Sequence, residues 1–255
     1  MNLGLTGRVA LVNGASQGIG YGIARVLAIE GARVAIAARR TPALQAAADR
    51  IAQETGANVV PVQCDIRRAD DCERVVAETV RHFGALHILV NNDGAPPLGD
   101  LLTFDDAAWT KAVEQNLMSV VRLTRAAAPH LKQAGGGAIV NIAAISMLEP
   151  KPGFGLSVAT WAAVMGFAKT ASIELGRDNI TINTIAPGLV ETPRLQKVTE
   201  QSGKVMGDFA AGIPLGRTGT PQDIAALVAL LASPRGAYIT GTTIQVDGGL
   251  LASLR

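Results

Sequence analysis

Cysteine is almost missing from this chain of 255 residues: Cys64 and Cys72 are the two present, and no cluster of histidine and cysteine surrounds them. That excludes a disulfide framework or a zinc site of ordinary spacing and leaves two unpaired thiols, in the core or at the surface. An excess of one charge sign is missing as well. Lys and Arg number 23 against 21 Asp and Glu, a net charge of +2, with no long run of either sign. Neither nucleic-acid coating nor membrane-surface binding is therefore expected as the main activity. No apolar run reads as long enough to span a bilayer. Residues 1–7 lack the basic, apolar, small-residue order of a secretory signal, so a cytoplasmic protein is expected. Repeats, linkers and low-complexity blocks are absent, which leaves one domain over 1–255. His82, His87 and His130 have no carboxylate or serine at a suggestive spacing; structural or surface roles are expected for them, and no metal site.

What the chain does have is apolar material in alternating patterns. Hydrophobic residues make up 48% and charged residues 17%, enough to bury a parallel sheet on both faces. Short β-branched runs predict strands at 9–12, 33–38, 59–63, 88–90, 138–142, 181–185 and 243–246. Helical spacing and end signals predict helices at 19–30, 42–55, 70–83, 104–131, 161–175 and 221–231. The 19–30 helix stops at Gly31, and the 42–55 helix starts on a proline after Thr41. Strands alternating with helices predict an α/β fold: a Rossmann-type doubly wound parallel sheet of about seven strands with helices on both faces. Segment 189–214 is the least regular and reads as a substrate lid.

After the first predicted strand comes Asn13-Gly14-Ala15-Ser16-Gln17-Gly18-Ile19-Gly20, leading directly into a helix. Glycines there let the backbone turn tightly and approach a pyrophosphate, while the helix N-terminus offers unpaired N–H groups and a positive dipole end. The strand before and the helix after make this more specific than glycine spacing alone. The strand that should hold the adenosine ribose ends Ala37-Ala38-Arg39-Arg40, with no acid. Arginine matches a 2′-phosphate in geometry and charge, so NADP(H) is predicted over NAD(H).

The spacing of Gly14, Gly18 and Gly20 resembles the Thr-Gly-x-x-x-Gly-x-Gly turn of short-chain dehydrogenases/reductases, with Asn13 in place of threonine. The resemblance, in particular to 3-oxoacyl-acyl-carrier-protein reductase-like members, runs from Leu5 to Gly249. It implies that Ser16, Gln17 and Ile19 also lie on the cofactor and that Asp65, with Ile66, lies near the adenine. Asn91-Asn92-Asp93-Gly94 is similar to the family's Asn-Asn-Ala-Gly motif, with aspartate for alanine. Pro187, Gly188, Val190 and Thr192 match its Pro-Gly segment, whose threonine holds the nicotinamide amide. Val246-Asp247-Gly248-Gly249 matches the end of the fold. The family also implies a homo-oligomer, a tetramer or dimer, through the 104–131 and 161–175 helices.

The family's chemistry uses asparagine, serine, tyrosine and lysine. Asn116 matches the asparagine. Alignment without a gap between Ile139 and Asn183 puts Ala144 on the serine, Ser157 on the tyrosine and Trp161 on the lysine. Alanine cannot hydrogen-bond a carbonyl, a serine hydroxyl is a weaker and shorter proton donor than a phenol, and tryptophan brings bulk where a cation stood. Losing a general acid costs about 10²–10⁴-fold in rate. Hydride transfer by the usual route is therefore expected to be greatly reduced. Three readings follow: an NADP(H)-dependent carbonyl/alcohol oxidoreductase with relocated proton transfer, involving Ser157, Ser146, water or the substrate; a non-redox isomerase or lyase; or a cofactor sensor or inactive subunit. Asp93 stands out as an added carboxylate, expected either to cap a neighbouring backbone N–H or to accept from the nicotinamide ribose.

Overall fold

The computed structural model describes residues 2–202 and 206–252. Seven strands, β1 (Val9–Asn13), β2 (Arg33–Ala38), β3 (Val59–Gln63), β4 (Ile88–Asn91), β5 (Gly137–Ile142), β6 (Ile180–Pro187) and β7 (Thr243–Val246), form one sheet in the order β3-β2-β1-β4-β5-β6-β7. Every pairing is parallel. Parallel strands need crossovers, and the helices that supply them cover both faces. Strand alternation divides the core. Ala10 and Val12 of β1 face the cluster under α1 (Gly18–Ile29), α2 (Thr41–Thr55) and α9 (Pro221–Leu231). Val9 and Leu11 face the cluster under α3 (Ala69–Phe83), α5 (Ser119–Gln133) and α6 (Gly155–Leu175). All five residues of β1 are buried, as its central place requires.

The strand order reverses beside β1. From β1 the chain runs outward through β2 to β3, then returns to pair β4 on the other side of β1. The two outgoing connections leave a crevice at the C-terminal strand ends, where open α/β sheets bind ligands.

Several expected boundaries need correction. The helix predicted at 161–175 begins six residues earlier, at Gly155. It starts without a polar cap on Phe154 and is apolar around much of its circumference, so neither capping chemistry nor periodicity marks its first turns. Segment Gly155–Asp178 is also long and apolar enough, by length and composition, to cross a membrane, contrary to the expectation that no run reaches that size. Here it lies on the sheet, burying Leu156, Trp161, Val164 and Ala168. The helix predicted at 104–131 is interrupted: α4 (Asp106–Ala112) passes into a π turn at Val113–Met118 and then into α5, which ends at Gln133. Segment 189–214 is less irregular than expected, since it contains α7 (Pro193–Ser202) and α8 (Met206–Ala210); residues 203–205 of it lie outside the described residues. Cys64 and Cys72 are free and buried. His87 is structural: its Nδ1 accepts from the Val9 backbone N–H at 3.0 Å, and burial lowers its pKa.

Candidate functional site

The loop between β1 and α1 is built on glycines that leave no room for a side chain. A Cβ on Gly14 would sit 2.5 Å from the Asn92 carbonyl oxygen, and one on Gly20 would sit 2.5 Å from the Gly14 carbonyl oxygen. Gly14 and Gly18 also have positive φ, 62° and 61°, which side-chain-bearing residues rarely adopt. Asn92, just past β4, fixes this turn by donating from Nδ2 to the carbonyls of Asn13 (3.1 Å) and Gly14 (3.2 Å). The result is a backbone concavity followed by the first turn of α1, which carries no acidic residue. Gln17 occupies the N-cap without a capping side chain, so the N-terminal N–H groups of α1 stay available for an anion. Ser16 and Ile19 are half-buried within the same loop.

Thr192 closes the far side of the crevice. Its methyl carbon would lie 3.4 Å from a Cβ on Gly18, so the segment after β6 and the turn after β1 meet here. Thr192 Oγ1 donates to the Val190 carbonyl at 3.3 Å and accepts from the Leu195 N–H at 3.3 Å, starting α7. Pro187 ends β6 in register with Val246 of β7, and Gly188 is tight against Asp247. Val190 is buried and bridges Gly219.

At the β2–β3 side, Arg39 and Arg40 are exposed where β2 gives way to α2. Asp65 is paired with Arg67 at 2.5 Å, and that guanidinium holds its carboxyl below the usual range. Arg39 acts on Asp65 in the same direction from further off. Ile66 sits beside them, half-buried, and reaches a small cavity under the turn.

The residues that the sequence suggests for the catalytic set lie on the π turn, the segment after β5 and α6. Asn116 lies in the π turn, fully buried, and its Nδ2 donates to Thr160 Oγ1 at 2.8 Å. Thr160 in turn donates to the Leu156 carbonyl at 2.7 Å. Ser157 and Trp161 stand one turn apart on the buried side of the same helix, 2% and 4% exposed. The hydroxyls of Ser157 and Ser146 and the Asn116 Oδ1 are buried without a hydrogen-bond partner. Buried polar atoms of this kind are normally satisfied by water or ligand. Ala144, two residues past β5, contributes no polar side-chain atom.

Two features were not anticipated from the sequence. Asn13, Asn91, Asn141 and Thr184 form a polar rung across four strands just below the crevice. Asn91 pairs in register with Asn141, and Asn141 with Thr184. Asn91 Nδ2 donates to Asn141 Oδ1 at 2.8 Å, while Asn13 Nδ2 donates to the Val90 carbonyl at 3.4 Å. Each is a polar residue at a position that strand patterning assigns to apolar core, and that mismatch was the available signal. The second feature is Arg194 on α7, which donates to the carbonyls of Ala95 and Pro96 at 3.4 Å each. Asp93 itself caps no backbone N–H; both carboxyl oxygens are buried and unpartnered. Gly94, next to it, is exposed, and its carbonyl accepts from Gln115 of the π turn.

Comparison with known proteins gives one consistent picture. The family described as enoyl-(acyl carrier protein) reductase matches residues 14–251. The 3-oxoacyl-acyl-carrier-protein reductase FabG of Chlamydia muridarum is 34% identical over 250 residues, covering 98% of this chain and 100% of the relative. Dehydrogenase/reductase SDR family member 4 of Homo sapiens is 34% identical over 248 residues, covering 96% of this chain and 88% of its own. The crystal structure of L-sorbose reductase from Gluconobacter frateurii, complexed with NADPH and L-sorbose, superposes with a TM-score of 0.94 at 33% identity, covering 100% of both chains.

Proposed function

The chain belongs to the short-chain dehydrogenase/reductase family, and on that premise we propose that it binds NADP(H) as an oxidoreductase whose proton transfer no longer uses the family's serine, tyrosine and lysine. The observation that carries this reading is the crevice itself. Gly14 and Gly20 pack too tightly against the turn to carry a Cβ, Gly18 holds a positive φ, and Asn92 and Thr192 hold the two sides of the concavity. A dinucleotide fits that donor set: backbone N–H groups of Ser16 to Ile19 for the pyrophosphate, with Gln17 at the rim. Asp65 and Ile66 would border the adenine, and Arg39 and Arg40 would take a 2′-phosphate. Asn92 and Gly94 would line the ribose side, and Pro187, Gly188, Val190 and Thr192 the nicotinamide.

When bound, the nicotinamide supplies or accepts a hydride, and a proton must move separately. No phenol or ammonium is present to move it at the corresponding places. Ser157 brings an unpaired hydroxyl to the position on α6, and Asn116, held by Thr160, keeps its side-chain oxygen unpaired. The proton route proposed for this chain is therefore the Ser157 or Ser146 hydroxyl, water or the substrate, rather than an acid of matched pKa. Such a path is slow by comparison, because proton-transfer efficiency rises as the donor pKa approaches the working pH.

The test is binding of NADPH and NADH to the purified protein by nicotinamide fluorescence, followed by single-turnover kinetics with a panel of ketones. Preferential NADPH binding with slow, measurable hydride transfer is the expected outcome. Equal affinities would refute the arginine assignment, and no binding of either would refute the cofactor reading.

A second reading has its own support. Ser157 and Trp161 are buried rather than presented at an open surface, and Ala144 adds no donor. A protein that binds the dinucleotide without turnover, as a sensor or as the inactive member of an assembly, fits that arrangement. Tight NADPH binding with no hydride transfer to any carbonyl would select it.

A further inference from the structure

The most anomalous group in the molecule is the Asp93 carboxyl. Asp93 follows β4 and points away from solvent into a cavity of about 10 Å³, room for roughly one water molecule. Asn13, Asn91, Ser119 and Trp161 share that cavity. Four buried atoms there have no partner: Oδ1 and Oδ2 of Asp93, Oδ1 of Asn13 and Oδ1 of Asn91. All four are acceptors when the carboxyl is ionised.

The hydrogen bonds that the neighbouring side chains make run elsewhere, and none reaches the carboxyl. Asn13 Nδ2 is directed to the Val90 carbonyl and Asn91 Nδ2 to Asn141 Oδ1. Asn92 Nδ2 holds the glycine turn, and the Ser119 hydroxyl donates to the Gln115 carbonyl at 2.5 Å. An ionised carboxylate would therefore be buried beside acceptor oxygens with no hydrogen bond of its own, a desolvation cost that the field of Arg194 offsets only in part.

A proton and one water resolve it. A neutral carboxyl has one O–H donor and one carbonyl acceptor, and a water brings two donors. The Asp93 O–H then donates to the water, and the water's two O–H groups reach the Asn13 and Asn91 side-chain oxygens. We propose that Asp93 is carried as a neutral carboxylic acid that, through a single buried water, hydrogen-bonds the asparagines beneath the glycine turn, and that loss of this proton closes the turn to dinucleotides at high pH. The first half stands on the geometry alone; the second rests on the cofactor reading above.

The electrostatic surroundings agree. Burial pushes the Asp93 carboxyl well above the usual carboxylate range. From β1, the β3–α3 loop, α5 and α6 the groups facing it are neutral: Asn13, Ile66, Ser119 and Trp161. Arg194 of α7 is the charged group whose field reaches it, and acts in the opposite, weaker direction. Asp93 is thus a positioning residue. It acts through Asn13 and Asn92, whose backbone and side chain shape the turn. Its neutrality keeps negative charge away from the place a pyrophosphate would occupy.

The experiment compares the apo wild type with Asp93→Asn, which keeps the shape and removes the titration, over pH 5 to 9.5. A carboxyl raised in the folded state binds its proton more tightly there than in the unfolded chain. Wild-type stability should then fall as pH rises from the ordinary carboxylate range toward the folded value. The fall approaches about tenfold in the unfolding constant per pH unit relative to D93N. Parallel curves for the two proteins would overturn the neutral-acid assignment. Should D93N not fold, carbon NMR of aspartate-labelled wild type decides: one carboxyl titrating far above the rest supports the assignment, and all titrating in the ordinary range overturns it. With NADPH added, the wild-type dissociation constant should rise with pH while that of D93N stays level. A level wild-type profile would overturn the switch. Failure of NADPH to bind at any pH would overturn the cofactor reading and the switch together, leaving the apo result to judge the neutral acid.

Discussion

Two glycines about 3 Å apart along one helix offer a way to separate folding from ligand binding at this crevice. Gly20 and Gly22 both lie in α1, both are buried, and neither has a positive φ. A Cβ at Gly20 would meet the Gly14 carbonyl oxygen at 2.5 Å and Asn92 Nδ2 at 2.7 Å. At Gly22 it would meet Pro221 Cβ, at the start of α9, also at 2.5 Å. Forcing a methyl into such a space costs about 1–3 kcal/mol, and alanine in a helix returns about 0.5–1 kcal/mol of it. Each variant should therefore lose on the order of 1–2 kcal/mol, which for a chain of this size lowers Tm by roughly 2–8 °C. The binding consequences should differ. Gly20→Ala must push the turn carbonyl or Asn92 out of place and so reshape the anion cradle, whereas Gly22→Ala moves only the α1–α9 contact. Differential scanning fluorimetry and NADPH titration on both proteins make the comparison. Similar melting losses with binding lost only in G20A is the expected result. If G20A bound NADPH as the wild type does, the turn would not be the cradle. If G22A lost binding equally, the effect would be global.

Other consequences can be checked in the same way. Thr160→Val removes the acceptor of Asn116 Nδ2 and leaves a buried donor unpaired, so urea unfolding should show a loss of about 1–3 kcal/mol. The triple variant A144S/S157Y/W161K restores the missing donor, phenol and cation; single-turnover hydride transfer should rise by at least about 10²-fold, and an unchanged rate would refute the alignment register. Asp223 is held well below the usual carboxylate range, first by Arg217 and then by the Thr220 N–H. Because its folded pKa is depressed, its contribution is present above about pH 4 and is lost as pH falls below it. The stability gap between wild type and Asp223→Asn should accordingly close on acidification.

The sheet was readable because its strands are short β-branched runs punctuated by glycine and proline, and each was placed to within a few residues. The glycine turn was readable because close backbone approach tolerates no other residue. Where the pattern lost its period, the reading faltered. The first turns of α6 are apolar on several sides and follow Pro152 and Gly153, so they looked like loop. The polar composition of 193–202 hid a helix lying over the crevice. The π turn at Val113–Met118 has no sequence mark, since a single wide turn leaves the surrounding helical periodicity nearly intact. Asp93 shows the limit most clearly. Its motif position was evident, but whether its carboxyl finds a backbone N–H depends on where neighbouring donors point, and none points at it.

The π turn carries a consequence for how this chain tolerates length changes. A π turn accommodates about one residue more than the α-helix it interrupts. Deleting one residue within 113–118 would let α4 and α5 merge into a regular helix without breaking either. The flanking segments would keep their faces, because the wide turn already holds the extra residue, and only the side chains within it would change direction. Asn116 would turn away from Thr160, and the segment reaching back toward Gly94 through Gln115 would be re-aimed. A single-codon deletion there should yield a folded protein with an altered crevice, whereas the same deletion in the middle of α3 would have no wide turn to absorb it.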